Sequence, residues 1–155
     1  MKIHMISLGC DKNRVDSEKM LSNLMEKYPG SQLTDDPAEA DITVINTCAF
    51  IGDAKEESIN TIIEMGEYKE TGNLKKLIVA GCLVERYKEE IRKELPEVDE
   101  VMSVRDYVDR LDVQMARVEN GENYTSYLKI AEGCDKCCTY CIIPKLRGHY
   151  RSVPM

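Results

Sequence analysis

At 155 residues the chain is long enough for one domain with a buried core and the start of a second. A hydrophobic fraction of 43% beside a charged fraction of 32% is that of a soluble globular protein. No apolar run reaches the roughly 18 residues of a membrane span, and MKIHMISLGC turns polar too soon for a signal peptide, so a cytoplasmic protein with no membrane partner is expected. The net charge of −7 is uneven: residues 1–123 carry sixteen Lys/Arg against twenty-six Asp/Glu, and residues 124–155 five against two. The acidic part is a poor nucleic-acid binder by itself. The sign changes at the turn-like ENGEN ending at Asn123, which sets expected domains of 1–122 and 123–155.

In chain order, the apolar stretch Lys2–Leu8 reads as a strand. Val15–Tyr28 carries Met20, Leu21, Leu24, Met25 and Tyr28 at helical spacing and is stopped by Pro29-Gly30. Gln32–Thr34 is a short strand and Asp41–Asn46 a buried one. A helix follows from about Ala54 to Tyr68, with Asp53 as its N-cap and Ile59, Ile62 and Ile63 as its apolar face. Leu77–Ala80 is a strand, Val84–Leu95 a helix with Tyr87, Ile91 and Leu95 on one stripe, Val98–Met102 a last strand and Arg105–Val118 a last helix. Five strands alternating with helices predict an α/β fold, a parallel doubly wound sheet of the flavodoxin-like order 2-1-3-4-5.

Seven cysteines in a cytoplasmic chain point to metal ligation or thiol chemistry rather than disulfides. Cys10, Cys48 and Cys82 follow the first, third and fourth strands. In the order 2-1-3-4-5 those strands are neighbours, and their carboxyl ends flank the point where the winding reverses, the usual ligand crevice of open α/β sheets. A single cysteine at such a place most often fills core space. Three at equivalent strand ends predict a shared metal site, and three thiolates suit zinc or an iron–sulfur cluster with one position left open. The loop LGCDKNRVDSE lacks the Ser/Thr/Gly-rich character of a phosphate cradle, which argues against a flavin, and no GxGxxG or Walker motif occurs. Asn13, Asp16 and Asn46, near the expected crevice, read as helix caps or turn formers, with hydrogen bonding around a ligand as the alternative.

Cys134, Cys138 and Cys141 form C-x3-C-x2-C, tight enough for one loop to wrap a cubane cluster and leave its fourth iron free. The adjacent Cys137 permits two abutting C-x2-C pairs, but a four-cysteine zinc site needs a spacer between its pairs. Cys137 reads as a bystander. Lys145 and Arg147 read as solvated, with contact to a cofactor carboxylate or a substrate as the alternative.

These residues resemble those of a known family. C-x3-C-x2-C is the cluster motif of radical S-adenosylmethionine enzymes, and EGCDKCCTYCIIPKLRG, Glu132–Gly148, is similar to the entry of the radical domain in the methylthiotransferases. The upstream GC, NTC and GC sites are similar to the three cysteines of that family's amino-terminal domain. The resemblance implies two [4Fe–4S] clusters, one on Cys10, Cys48 and Cys82 and one on Cys134, Cys138 and Cys141, the second binding S-adenosyl-L-methionine. It implies an electron donor as partner and a chain ending just inside a partial TIM-like barrel, an amino-terminal fragment inactive by itself whose tail beyond about Asn123 is extended, mobile or docked on another copy. SLGCDKNRVDSE is most like the branch that methylthiolates the β-carbon of an aspartate in a small-subunit ribosomal protein, whereas the tRNA-adenosine branch more often reads GCQMN at this place. A non-enzymatic flavodoxin-like binding module is the further alternative. Cys137 departs from the family pattern.

Overall fold

The structure, a computed structural model, describes residues 1–108, 117–118 and 124–153. The elements are β1 (Lys2–Ser7), α1 (Asp11–Lys27), β2 (Gln32–Leu33), β3 (Ile42–Thr47), α2 (Gly52–Thr71), β4 (Lys76–Gly81), α3 (Cys82–Glu94), β5 (Glu100–Ser103), α4 (Val104–Val108), β6 (Ala131–Glu132), α5 (Ile143–Arg147) and β7 (Arg151–Ser152). Five strands form one all-parallel sheet in the order β2-β1-β3-β4-β5. This is the flavodoxin-like order that the alternation of elements predicts. The helix expected over Arg105–Val118 begins as α4, and most of its remainder lies outside the described residues.

The core follows from the composition of the central strands. All six residues of β3, ITVINT, are buried, as are five of the six in β4, KLIVAG, because helices cover both faces of the sheet. Ile45, Ile62, Leu77, Val79, Leu83 and Val84 pack together on one side. Ile3, Leu21, Ile42, Val44 and Ile78 pack on the other.

Three local expectations need correction. Asp53 does not cap α2: Ile51 takes that position without a side-chain bond, and Asp53 lies in the first turn, where a negative charge suits the helix dipole. Of the expected apolar face of α2, only Ile62 is buried; Ile59 and Ile63 are exposed, and Ser58 and Met65 complete the contact instead. α3 begins two residues earlier than predicted, directly at the end of β4, because Gly81 has φ +102° and turns the strand into the helix without a loop.

Residues 124–153 fold back along α1. Arg117 Nη1 donates to the Tyr127 carbonyl (2.5 Å) and Nη2 to Ser126 Oγ (3.0 Å), while Nη2 also meets Glu18 Oε2 at 2.7 Å. The Arg14 guanidinium lies 5.9 Å from the centre of the Tyr127 ring. The tail is therefore docked on its own chain. A two-residue antiparallel ladder of β6 and β7 closes it. No helix among the described residues is long and apolar enough to cross a membrane.

Candidate functional site

The carboxyl ends of β1, β3 and β4 lie side by side, Ser7 opposite Asn46 and Thr47 opposite Gly81. Cys10, Cys48 and Cys82 arrive at this edge within three residues of their strands. Cys10 is the N-cap of α1 and is exposed; Cys82 is the first residue of α3 and is buried; Cys48 is buried four residues before α2. Helix N-termini favour negative charge, so the places of Cys10 and Cys82 suit an anionic ligand set.

The approach is close. Gly9 has φ +87°, and a β-carbon there would lie 2.6 Å from the Cys48 β-carbon and 2.8 Å from its sulfur. A β-carbon at Gly81 would come within 2.5 Å of Asn46 Oδ1 and 2.8 Å of the Thr47 nitrogen. Both glycines are thus required by backbone conformation and by space. Burial pushes the Cys82 thiol up; Arg147 draws it part of the way back, and the thiols of Cys48 and Cys10 add to the rise. Arg147, Cys48 and Cys10 are thus among the electrostatic neighbours of Cys82. Among the described residues, no set of three or more His, Cys, Asp and Glu side chains already stands in a metal-ligating arrangement.

Hydrogen bonds fix the turns that carry these cysteines. Thr47 Oγ1 donates to the Ala80 carbonyl (2.6 Å), tying β3 to β4. Ser58 Oγ accepts from the Cys48 N–H (3.1 Å) and lies 3.0 Å from the Cys48 carbonyl. Asn13 Nδ2 donates to the carbonyls of Leu8 (2.9 Å) and Thr47 (3.0 Å), bridging the Cys10 and Cys48 turns. Asn46 Nδ2 donates to the Asn13 carbonyl (2.9 Å) and Ser17 Oγ (3.0 Å). Asn13 and Asp16 are therefore not caps: both are buried inside the first turns of α1, and Asn46 braces that helix.

Arg147 departs furthest from expectation. It is 5% exposed, not solvated. Its Nη1 donates to Asp16 Oδ2 (2.6 Å) and Glu132 Oε2 (3.2 Å), and its Nη2 donates to Asn13 Oδ1. Lys129 Nζ donates to Asp16 Oδ1 (2.6 Å) and pairs with Glu132. Two cations thus face two carboxylates, so the buried set is balanced. Burial would raise the Glu132 carboxyl, but Arg147 and Lys129 outweigh it and hold the group below its usual range. Burial opposes the charge on Arg147, yet Asp16 and its other neighbours keep it firmly protonated.

Two buried polar atoms at this end of the sheet lack a partner among the described residues: Asn46 Oδ1, against Gly81, and the Tyr107 hydroxyl. Tyr107 is 1% exposed; burial raises its phenol well above the usual range, and Arg147, Asp16 and Cys82 are among its electrostatic neighbours. Unsatisfied groups at the end of the sheet that carries these cysteines fit a polar or ionic occupant better than a packed core.

Residues 2–103 match the family described as "Uncharacterized protein family UPF0004". The chain belongs to that family. The ribosomal protein uS12 methylthiotransferase RimO of Lachnoclostridium phytofermentans is 56% identical over 177 aligned positions, covering 100% of this chain and 40% of that protein. Proteins of the same name from Clostridium botulinum (45% identical, 98% of this chain, 38% of theirs) and Clostridium perfringens (46%, 97% and 38%) are similar too. The chain spans about two fifths of the length of these curated relatives.

The UPF0004 match ends at Ser103, before the second cysteine set. Cys134 and Cys141 are half-buried, and Cys137 and Cys138 are exposed. The Cys141 N–H donates to the Cys138 carbonyl (3.0 Å), making a turn, and the Cys134 N–H donates to the Gly148 carbonyl (3.1 Å). Cys137 has φ +49°, a left-handed conformation unusual for a residue with a side chain. Sequence reasoning missed Ser58, Tyr107, Lys129 and Glu132. The signal available for Lys129 was the excess of positive charge after Asn123 facing an acidic body.

Proposed function

We propose that the chain is part of an iron–sulfur radical S-adenosylmethionine methylthiotransferase acting on a small-subunit ribosomal protein, at the β-carbon of an aspartate. In this reading residues 1–122 are the amino-terminal domain and 123–155 the start of the radical domain. Cys10, Cys48 and Cys82 hold one [4Fe–4S] cluster; Cys134, Cys138 and Cys141 hold the other, with S-adenosylmethionine. The clusters and S-adenosylmethionine, fed by an electron donor, would supply a radical able to remove an unactivated hydrogen, together with the sulfur and methyl group to be installed. The protein supplies three converging thiols, helix N-termini that favour thiolates, and glycine turns that let the thiols approach.

The observation that carries the reading is the arrival of three cysteines at the carboxyl ends of three adjacent parallel strands. The acidic balance of residues 1–123 and the names of the relatives favour a basic protein acceptor over RNA. Anaerobic reconstitution tests it. The chain should take up iron and sulfide, Cys10→Ala and Cys138→Ala should each remove about half, and the double variant should remove nearly all. Uptake insensitive to both substitutions would defeat the reading and favour a binding module with structural cysteines.

A further inference from the structure

Nothing in the proposed chemistry calls for Arg147, yet the fold spends a buried guanidinium on it. Such a group costs free energy unless it is paired and hydrogen-bonded, and an apolar contact of the same size would stabilise the tail at least as well. What the polar network supplies instead is position. Asn13 is its pivot: Nδ2 pins the Leu8 and Thr47 carbonyls, two residues before Cys10 and one before Cys48, while Oδ1 accepts from Arg147. Glu132, the other end of the fork, accepts from the Gly133 N–H (3.0 Å) beside Cys134. The Cys134 N–H returns to the Gly148 carbonyl, next to Arg147 itself.

We propose that Arg147 is a positioning residue that locks the two cysteine sets into one fixed relation: held by Asp16, its guanidinium fork joins Asn13, which clamps the Cys10 and Cys48 turns, to Glu132, which holds the start of the Cys134–Cys141 loop. The inference rests on the proposed function in taking both cysteine sets as cofactor ligands, but its geometry stands without them. It also sets a charge beside Cys82, where a cation favours added electrons on any redox group that the thiols hold.

The test compares Arg147→Gln and Arg147→Lys in the full chain. In the cluster-free protein, native-state alkylation of Cys48 should speed up on the order of ten-fold in both variants, because neither has the two-pronged fork that joins Asn13 to Asp16 and Glu132. In the reconstituted protein, the midpoint potential of the first cluster, read with Cys134, Cys138 and Cys141 replaced by Ala, should move negative in Arg147→Gln and stay near wild type in Arg147→Lys. Amide exchange along β3 and β4 should not change. Wild-type alkylation rates in Arg147→Gln would overturn the proposal, as would loss of protection along the whole sheet, which would make Arg147 a residue of global stability. Failure of the unsubstituted chain to take up iron would sink the cluster reading alone, leaving the alkylation result to decide the role of Arg147.

Discussion

The two cysteine sets are held in opposite ways. Cys10, Cys48 and Cys82 are far apart in sequence and are brought together by the parallel sheet, each at the end of a strand whose register is fixed by its neighbours. Cys134, Cys138 and Cys141 are close in sequence and sit on a loop whose regular structure is a two-residue ladder and a five-residue helix. The first set draws its geometry from the core. The second draws its own from contacts with α1, through Arg147 and Lys129. A site built on a sheet tolerates little change in its backbone, whereas a site built on a docked loop depends on the dock.

Glycine substitution separates the two most sharply. Gly81 and Gly148 both have positive φ, +102° and +74°. A β-carbon at 81 would strike Asn46 and Thr47 in the heart of the sheet edge, whereas at 148 nothing lies within 4 Å. Gly81→Ala should therefore cost about 3 kcal/mol or more, through backbone strain and displaced core together. Gly148→Ala should cost about 1–3 kcal/mol, from strain alone, because φ +74° with ψ −161° is a conformation nearly confined to glycine. Urea unfolding of the two variants measures both. Equal losses would mean that the loop is as firmly built as the sheet edge.

The same contrast explains what could be read from sequence. The sheet order, and with it the placing of Cys10, Cys48 and Cys82 after adjacent strands, was legible because β1, β3 and β4 are apolar runs that end abruptly near cysteines. The face of α1 was not. Met20 and Leu21 are buried as its periodicity implies, but Asn13, Asp16, Ser17 and Glu18 are buried too. Polar residues at those positions look solvent-facing because their partners are remote: Lys129 and Arg147 lie 113 and 131 residues from Asp16. Periodicity reports only that a face is polar, not that a distant cation will cover it. The α3 start was missed for a local reason, since a strand rarely passes into a helix without a loop unless a glycine makes the turn.

Thiol reactivity gives a finer measure. Cys10, Cys137 and Cys138 are exposed, whereas Cys48 and Cys82 are 8% and 7% exposed, and burial raises the Cys82 thiol. In the cluster-free chain at pH 7.5, alkylation followed by mass spectrometry should label the first three quickly and the buried pair at least about ten-fold more slowly. Comparable rates for all five would show that the sheet edge opens as freely as the loop, erasing the distinction.

The smallest effect concerns acid. Asp41, pinned by Lys75 and the Lys2 N–H, sits below its ordinary value of 3.8. So does Asp99, where burial raises the group but Lys69 and the Leu77 N–H outweigh it, and Asp106, held by the Ser103 N–H and Lys88. Each of these bonds anchors a backbone group of the sheet, at Lys2, Leu77 and Ser103. A carboxyl with a depressed folded-state value contributes stability that is present above 3.8 and is lost as pH falls through that lower folded value. The urea midpoint should therefore be insensitive to these groups from pH 7 to about 5 and should decline below about 4. Because the carboxylates are partly exposed, each contributes under about 1 kcal/mol. Asp99→Asn should lower the neutral-pH midpoint slightly and flatten the acid slope, with amide exchange rising first at the amino end of β4 and not in the Cys134–Cys141 loop. A steeper acid slope in the variant would assign the acid sensitivity to other groups and detach it from the sheet.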